Sequence, residues 1–183
     1  MFVSIFERVL KMNFLSLAGK RYSVRKFSDK PVEKEKLDKI LEAGRLAPTA
    51  CNNQPQKIIV IDNKASLEKV KKCTRYGFGA PVVLIICYDK DESWKRSFDG
   101  KDMGDVDAAI VTTHIILEAA SLGIGSTWVG SFDPAAARSE FALPDNVIPV
   151  AFLPIGYPAE DAAPSGNHAS RKPINETVSY NSL

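Results

Sequence analysis

Apolar residues recur along this chain with two different periods. Leu37, Ile40, Leu41 and Gly44 fall three and four apart and predict a helix from about residue 33 to 47 with one buried face, stopped by Pro48. Lys57-Ile58-Ile59-Val60-Ile61 and Pro81-Val82-Val83-Leu84-Ile85-Ile86-Cys87 are instead continuous apolar runs rich in β-branched residues, the pattern of buried strands. Val147–Gly156 reads as a third such strand, with Pro149 predicting irregular pairing. Shorter helices are predicted over residues 13–20, ending at Gly19, over 64–73 with Leu67 and Val70 inward, and over 134–141, capped by Asp133. Asp29-Lys30-Pro31 is a turn, and the tail beyond Tyr157 is mostly extended.

The longest predicted helix, Asp105–Leu122, is apolar almost all the way round. Such a helix must be covered on several sides, and in a domain this small a second subunit is expected to supply part of the cover. Gly123-Ile124-Gly125 closes it, and Ser126-Thr127-Trp128-Val129-Gly130 reads as a strand entering a loop. Helices and strands mix without a steady βαβ alternation, so the fold class is α+β rather than a doubly wound sheet. A Gly-x-Gly-x-x-Gly dinucleotide fingerprint is absent.

Composition narrows the function classes. The 183 residues are 45% hydrophobic and 25% charged, as in an ordinary globular domain, and the formal net charge of +2 gives no reason to expect a nucleic-acid partner. Basic residues concentrate from Lys20 to Lys39, but Asp29, Glu33, Glu35 and Asp38 interrupt them. Cys51, Cys73 and Cys87 have no metal-ligand spacing and argue for a reducing compartment, and with His114 and His168 they make no zinc pattern, so no metal is expected. The apolar start is cut by Glu7, Arg8 and Lys11 before a signal-peptide core forms, and no stretch reaches membrane-span length. A cytoplasmic protein without membrane contact is the expectation. Residues 1–12 read as an N-terminal extension, with Met12 an alternative start and Phe2, Ile5, Phe6 and Val9 spaced for a short helix; residues 13–183 form a single domain.

Two segments carry the chemistry. Arg21-Tyr22-Ser23-Val24-Arg25-Lys26-Phe27 sets two guanidinium groups around a hydroxyl, a set that gives charge-assisted hydrogen bonds to a phosphate. One helix later, Pro48-Thr49-Ala50-Cys51-Asn52-Asn53-Gln54-Pro55 is an uncharged turn whose amide side chains both donate and accept, suited to a flat ring with polar edges. Gly123–Gly130 and the Gly156-Tyr157-Pro158 turn followed by Arg171 complete the series. Together these segments resemble the FMN-dependent nitroreductase family, in order and spacing, from about residue 13 to 178.

The resemblance implies a three-layer α-β-α sandwich around a mostly antiparallel sheet, built as a domain-exchanged homodimer with FMN at the subunit interface. It assigns Arg21, Tyr22 and Ser23 to the phosphate and ribityl chain and Arg25 to the pyrimidine end of the ring, where a fixed cation stabilises negative charge. It assigns Pro48, Thr49, Ala50, Asn52 and Gln54 to the partner's flavin, and Trp128, Val129 and Gly130 to one ring face through their backbone. Arg171, with Lys172 as the alternative, closes over the phosphate. Gln56 departs from the family, which commonly has an aromatic residue after Gln-Pro. The implied reaction is ping-pong transfer from NAD(P)H through FMN to a nitroaromatic, quinone or activated alkene, with no catalytic side chain beyond the electrostatic support of Arg25. The alternatives are an FMN storage or sensing module, or a flavin-modifying enzyme on the same fold. The segment Asp89–Met103 is expected to set acceptor choice, with Trp94 and Phe98 either a lid or helix packing.

Overall fold

The computed structural model describes residues 13–183. The N-terminal extension and its expected helix lie outside the described residues. Strands β1 (Gln56–Ile61), β2 (Val82–Asp89), β3 (Gly125–Ser126) and β4 (Val147–Gly156) form one sheet in the order β1-β2-β4-β3, with every neighbouring pair antiparallel. β2 is buried along its whole length, and its faces sort by parity. Val82, Leu84 and Ile86 meet a layer made by α2 (Lys34–Arg45) and α4 (Gly104–Ser121), through Ile40, Ala108, Val111, Ile115 and Ala119. Val83, Ile85 and Cys87 meet the opposite layer of α3 (Lys64–Cys73) and α5 (Pro134–Glu140), through Val70, Cys73 and Ala137. The result is an α+β sandwich of three layers, held by burial of about 1.5–3 kcal/mol per large aliphatic side chain.

Side-chain caps start α3, α5 and the first described helix. Asn63 accepts the Ser66 N–H at 2.9 Å to open α3, and Asp133 accepts from Ala135 and Ala136 ahead of Pro134 to open α5. The first helix, α1 (Phe14–Lys20), is capped by Asn13. It runs through Gly19 rather than ending there, because Arg21 leaves in extended backbone and no left-handed glycine terminator is needed. Gly44 lets α2 approach α4, since a Cβ there would lie 2.9 Å from Ile115.

One strand expectation changes, and the irregular pairing expected at Pro149 is present. The predicted strand over Ser126–Gly130 is continuous only at Gly125–Ser126; Val129 then forms an isolated bridge to Phe152. The intervening Thr127 donates to the Pro154 carbonyl at 3.2 Å, and Pro154 has no N–H to return, so the ladder breaks there. In β4 the register slips at Pro149: Ile86 pairs with Ala151 but Cys87 with Pro149, leaving Val150 as the extra residue. α4 buries one face completely, while Val106, Ile110 and Leu117 on its other sides are only partly covered within this chain. Among the described residues no helix is long and apolar enough to cross a membrane.

Candidate functional site

The chain leaves α1 at Arg21 and runs extended beside β3. Ser23 bridges Ser126 in parallel, Val24 N–H bonds the Ser126 carbonyl at 3.0 Å, and the Thr127 hydroxyl donates to the Val24 carbonyl. Extended backbone alternates its side chains, so buried Val24 turns inward while Arg21, Ser23 and Arg25 share the other face.

The C-terminal tail folds back over that face. Ser28 N–H bonds the Tyr157 carbonyl at 2.9 Å, Ala159 N–H bonds the Lys26 carbonyl at 3.0 Å, and Lys26 pairs with Asp161. Further on, His168 Nε2 lies 3.1 Å from the Gly19 carbonyl, and its ring meets the edge of Tyr22 at a centroid distance of 6.1 Å. These contacts bring Ser165, Asn167, His168 and Arg171 beside Arg21, Tyr22, Ser23 and Arg25 around a cavity of about 140 Å³. Arg171 is held in place by bonds from its guanidinium to the His168 and Ser170 carbonyls at 2.6 and 2.7 Å, and Arg25 bonds the Ser23 carbonyl at 3.2 Å. Lys172 does not line the cavity.

Three guanidinium groups thus surround a small space whose lining contains no carboxylate. Among the described residues none of the three has an acidic partner. Like charges held this close repel unless an anion sits between them. The donor set, with its hydroxyls and amide, fits a phosphate. Ser165, Asn167 and His168 carried no signal of this in the sequence, because only the fold of the tail delivers them.

The polar turn lies elsewhere. Ala50–Asn52 forms a 3-10 turn, and Cys51, Asn52 and Gln54 all have left-handed backbone, with φ of 52°, 55° and 53°. Such conformations cost of order 1–3 kcal/mol for residues with side chains, least for Asn. The Thr49 hydroxyl accepts the Gln54 N–H at 3.0 Å, Asn53 Nδ2 donates to the Glu92 carbonyl at 3.0 Å, and Asp107 Oδ1 accepts the Ala50 N–H at 2.9 Å. Asp107 sits in the first turn of α4, whereas the arginine end of the site touches its last turn, through an apolar cavity lined by Arg21, Tyr22, Ala120 and Gly123. At 1.5 Å rise per residue these points are roughly 20 Å apart along the helix. One chain therefore does not bring Pro48, Thr49, Ala50, Asn52 and Gln54 to the cavity of Arg21 and Arg171.

Trp128, Val129 and Gly130 follow directly from the pairing of Thr127 with Val24. Val129 is buried, and its N–H and carbonyl both bond Phe152, at 2.9 and 3.0 Å. Trp128 is half-exposed and its indole nitrogen leans to within 3.7 Å of where a Gly130 Cβ would stand. Trp94 and Phe98 are not on a helix. Residues 94–103 form a hairpin, closed by Met103 N–H to the Trp94 carbonyl at 3.0 Å and pinned by the Arg96–Asp99 pair, with Phe98 fully exposed at its tip. The segment is tied to the polar turn through Glu92, which also pairs with Lys57 at 2.8 Å.

The sequence model of the Nitroreductase family matches residues 18–76 and 70–157. The chain belongs to the nitroreductase family. The match takes in Arg21–Arg25, the polar turn and Trp128–Gly130, but ends before Arg171. A nitroreductase family protein of Clostridium difficile 630 is 46% identical and superposes with a TM-score of 0.89 over 94% of this chain and 100% of its own. A structure titled as an FMN-dependent nitroreductase of Clostridium difficile R20291 is 29% identical, with a TM-score of 0.76 over 92% of this chain and 99% of its own. A Staphylococcus aureus protein of strain MRSA252, named NADPH-dependent oxidoreductase, is 31% identical over 91% of this chain and 72% of its own length. This nitroreductase therefore shares its α-β-α layering with solved relatives across nearly the whole described chain.

Proposed function

We propose that this nitroreductase is an FMN-dependent oxidoreductase that draws on NAD(P)H and reduces an electron-poor acceptor: a nitroaromatic, a quinone or an activated alkene. The observation that carries the reading is the cavity of Arg21, Ser23, Arg25 and Arg171, whose cations have no acidic partner among the described residues and whose other donors suit a phosphate. The names of the relatives, FMN-dependent nitroreductase and NADPH-dependent oxidoreductase, point the same way.

When bound, FMN would supply the two-electron redox chemistry between a nicotinamide donor and the acceptor. The chain supplies binding and field. Arg21, Ser23 and Arg171 hold the phosphate, and Tyr22 closes the ribityl side. Arg25 stays protonated at neutral pH and is a fixed positive charge for the pyrimidine edge, an electrostatic support rather than an acid. Trp128 and Gly130 offer backbone to one ring face.

Pro48, Thr49, Ala50, Asn52 and Gln54 act on the flavin of a second subunit. Two features support a homodimer: the roughly 20 Å that separates the two halves of the site along α4, and the half-covered Val106, Ile110 and Leu117 on that helix. The exposed Ile174, Val178 and Tyr180 of the tail add apolar surface for the same contact.

The test is the visible spectrum of the purified protein, followed through anaerobic addition of NADH and then NADPH, with mass in solution measured alongside. A flavin spectrum that bleaches with either donor, on a particle of twice the chain mass, is the expected result. A bound flavin that neither donor reduces would turn the reading into a storage or sensing module. A colourless protein that also fails to take up FMN would overturn it.

A further inference from the structure

We propose that Asp107 is a positioning residue: its carboxylate fixes the shape of the polar turn 49–54 and, resting on the reading above, the geometry that turn presents to the flavin. Asp107 is 2% exposed and sits one turn into the longest helix of the fold. Its Oδ1 takes the Ala50 N–H at 2.9 Å, while Oδ2 is buried with no donor. The helix N-terminus offsets part of the cost of burying the charge, but one unpaired carboxylate oxygen remains.

A neutral side chain could accept one N–H with less desolvation. What the carboxylate adds is strength, because a charge-assisted bond is about twice as strong as a neutral one. The turn needs it. Three of the four residues Cys51–Gln54 are left-handed without being glycine, and the turn lies on the surface where solvent competes for its bonds. Of the contacts that reach the turn from outside, only Asp107 is a fully buried side chain. At the other end of the turn, Gln56 carries a second buried acceptor without a donor, Oε1. Unpaired buried acceptors at both ends mark a segment held in one shape at a cost in stability, as is common where shape matters to chemistry.

Asp107→Leu separates this role from ordinary packing. A leucine has the same branched outline with bulkier methyl groups; it removes the acceptor and the unpaired charge and leaves the Ala50 N–H without its partner. The thermal midpoint is therefore expected to fall, and it is the location of the exchange change, not the midpoint, that separates the two roles. Amide hydrogen exchange at residues 51–54, measured on the protein as purified, is expected to accelerate at least about tenfold, while β2 and β4 keep their protection. Flavin bleaching by NAD(P)H is expected to slow by about ten- to a hundredfold, the loss of one charge-assisted bond. Asp107→Asn keeps the Oδ1 acceptor without its charge and is expected to recover part of both, with exchange and bleaching lying between those of Asp107→Leu and wild type.

Unchanged exchange in Asp107→Leu would overturn the proposal, as would a loss of bleaching that Asp107→Asn shares in full. Should Asp107→Leu not fold, Ala50→Pro deletes the same bond from its donor side; Thr49, with φ of −129° and ψ of 160°, already has the backbone that precedes proline. Faster exchange at residues 51–54 is again expected, and unchanged exchange again overturns the proposal. A wild-type protein that holds no reducible flavin would refute the functional reading, while exchange would still decide whether Asp107 shapes the turn.

Discussion

Gly125→Ala tests whether the arginine segment depends on its close contact with β3. A Cβ at Gly125 would lie 2.6 Å from Val24 Cγ2 and 2.9 Å from Val24 Cβ, against ordinary carbon contacts of about 3.5–4.0 Å. Val24 cannot swing away freely, because it is 2% exposed and both of its backbone polar groups are tied to the Ser126–Thr127 segment. Overpacking of this kind costs about 1–3 kcal/mol. For a chain of 183 residues each kcal/mol lowers Tm by about 2–4 °C, so a fall of about 2–12 °C is expected. Because Val24 stands between Ser23 and Arg25, FMN affinity should fall with it. Val24→Ala alone loses two buried carbons, about 1.6 kcal/mol. In the double variant the contacts with the Cγ carbons are gone while the Cβ of residue 24 stays 2.9 Å away, so relief is partial: stability should exceed the sum of the singles by about 1 kcal/mol, with FMN affinity partly recovering. Thermal unfolding and flavin titration of the four proteins close the cycle. A Gly125→Ala protein with the wild-type Tm, or a cycle additive within about 0.5 kcal/mol, would refute the steric argument.

Arg21→Ala removes one charge-assisted partner of the phosphate, so FMN should dissociate about 10- to 150-fold more readily by equilibrium titration; a variant that purifies with undiminished flavin contradicts the phosphate assignment. The Tyr157 hydroxyl donates to Glu33 at 2.6 Å and, with Lys30 nearby, lowers the Glu33 carboxyl to about 2. A lowered carboxylate stabilises the fold above its unfolded value of about 4.3 and loses that contribution as pH falls toward the folded value. The Tm difference between wild type and Glu33→Gln should thus be steady above about pH 5 and shrink toward pH 2; a difference independent of pH contradicts the pairing. Burial pushes the Cys87 thiol up to about 12 and raises Cys73 as well, whereas Cys51 is exposed. A thiol reagent at neutral pH should therefore modify one cysteine quickly and the other two only on unfolding; three fast-reacting thiols would show that the α3 and α5 layer is not packed as described.

The helices and central strands were legible because their signals are local: an i, i+3, i+4 face at Leu37–Gly44, unbroken β-branched runs at 57–61 and 81–87, and a side-chain cap at Asp133. The break at Thr127 was not legible, since it depends on which residue of β4 stands opposite, and that residue happens to be Pro154. Arg21, Ser23 and Arg25 were legible as a set from their residue types and spacing; that they share one face follows from the extended backbone the structure gives them. Arg171 was reached only through resemblance, and Ser165, Asn167 and His168 not at all, because the fold of the tail over residues 19–28 has no local signature. Asp107 was hidden inside a helix read as apolar. Asp105 and Glu118 lie in the same helix, so nothing in the sequence sets Asp107 apart, and its partner, the Ala50 backbone, is not a residue type that sequence can single out.

Both halves of the candidate site run against stability, and in different ways. At one end of α4, Arg21, Arg25 and Arg171 crowd a small cavity without an acid among them. At the other, Cys51, Asn52 and Gln54 hold left-handed backbone around a buried, half-satisfied carboxylate. Neither arrangement would survive in a chain whose core was marginal, because each costs a sizeable part of the usual net stability of 5–15 kcal/mol. The central sheet supplies the reserve, with β2 sealed on both faces between two helical layers. The two costs also differ in what relieves them. Charge repulsion among arginines is relieved by an anion, so the first half should gain stability when phosphate binds. Backbone strain is not relieved by a ligand that merely rests on it, so the second half must be held by the protein itself. That asymmetry explains why the arginine end is open and solvated while the turn is anchored from beneath, and it places the fixed geometry of the site at the turn and the binding energy at the arginines.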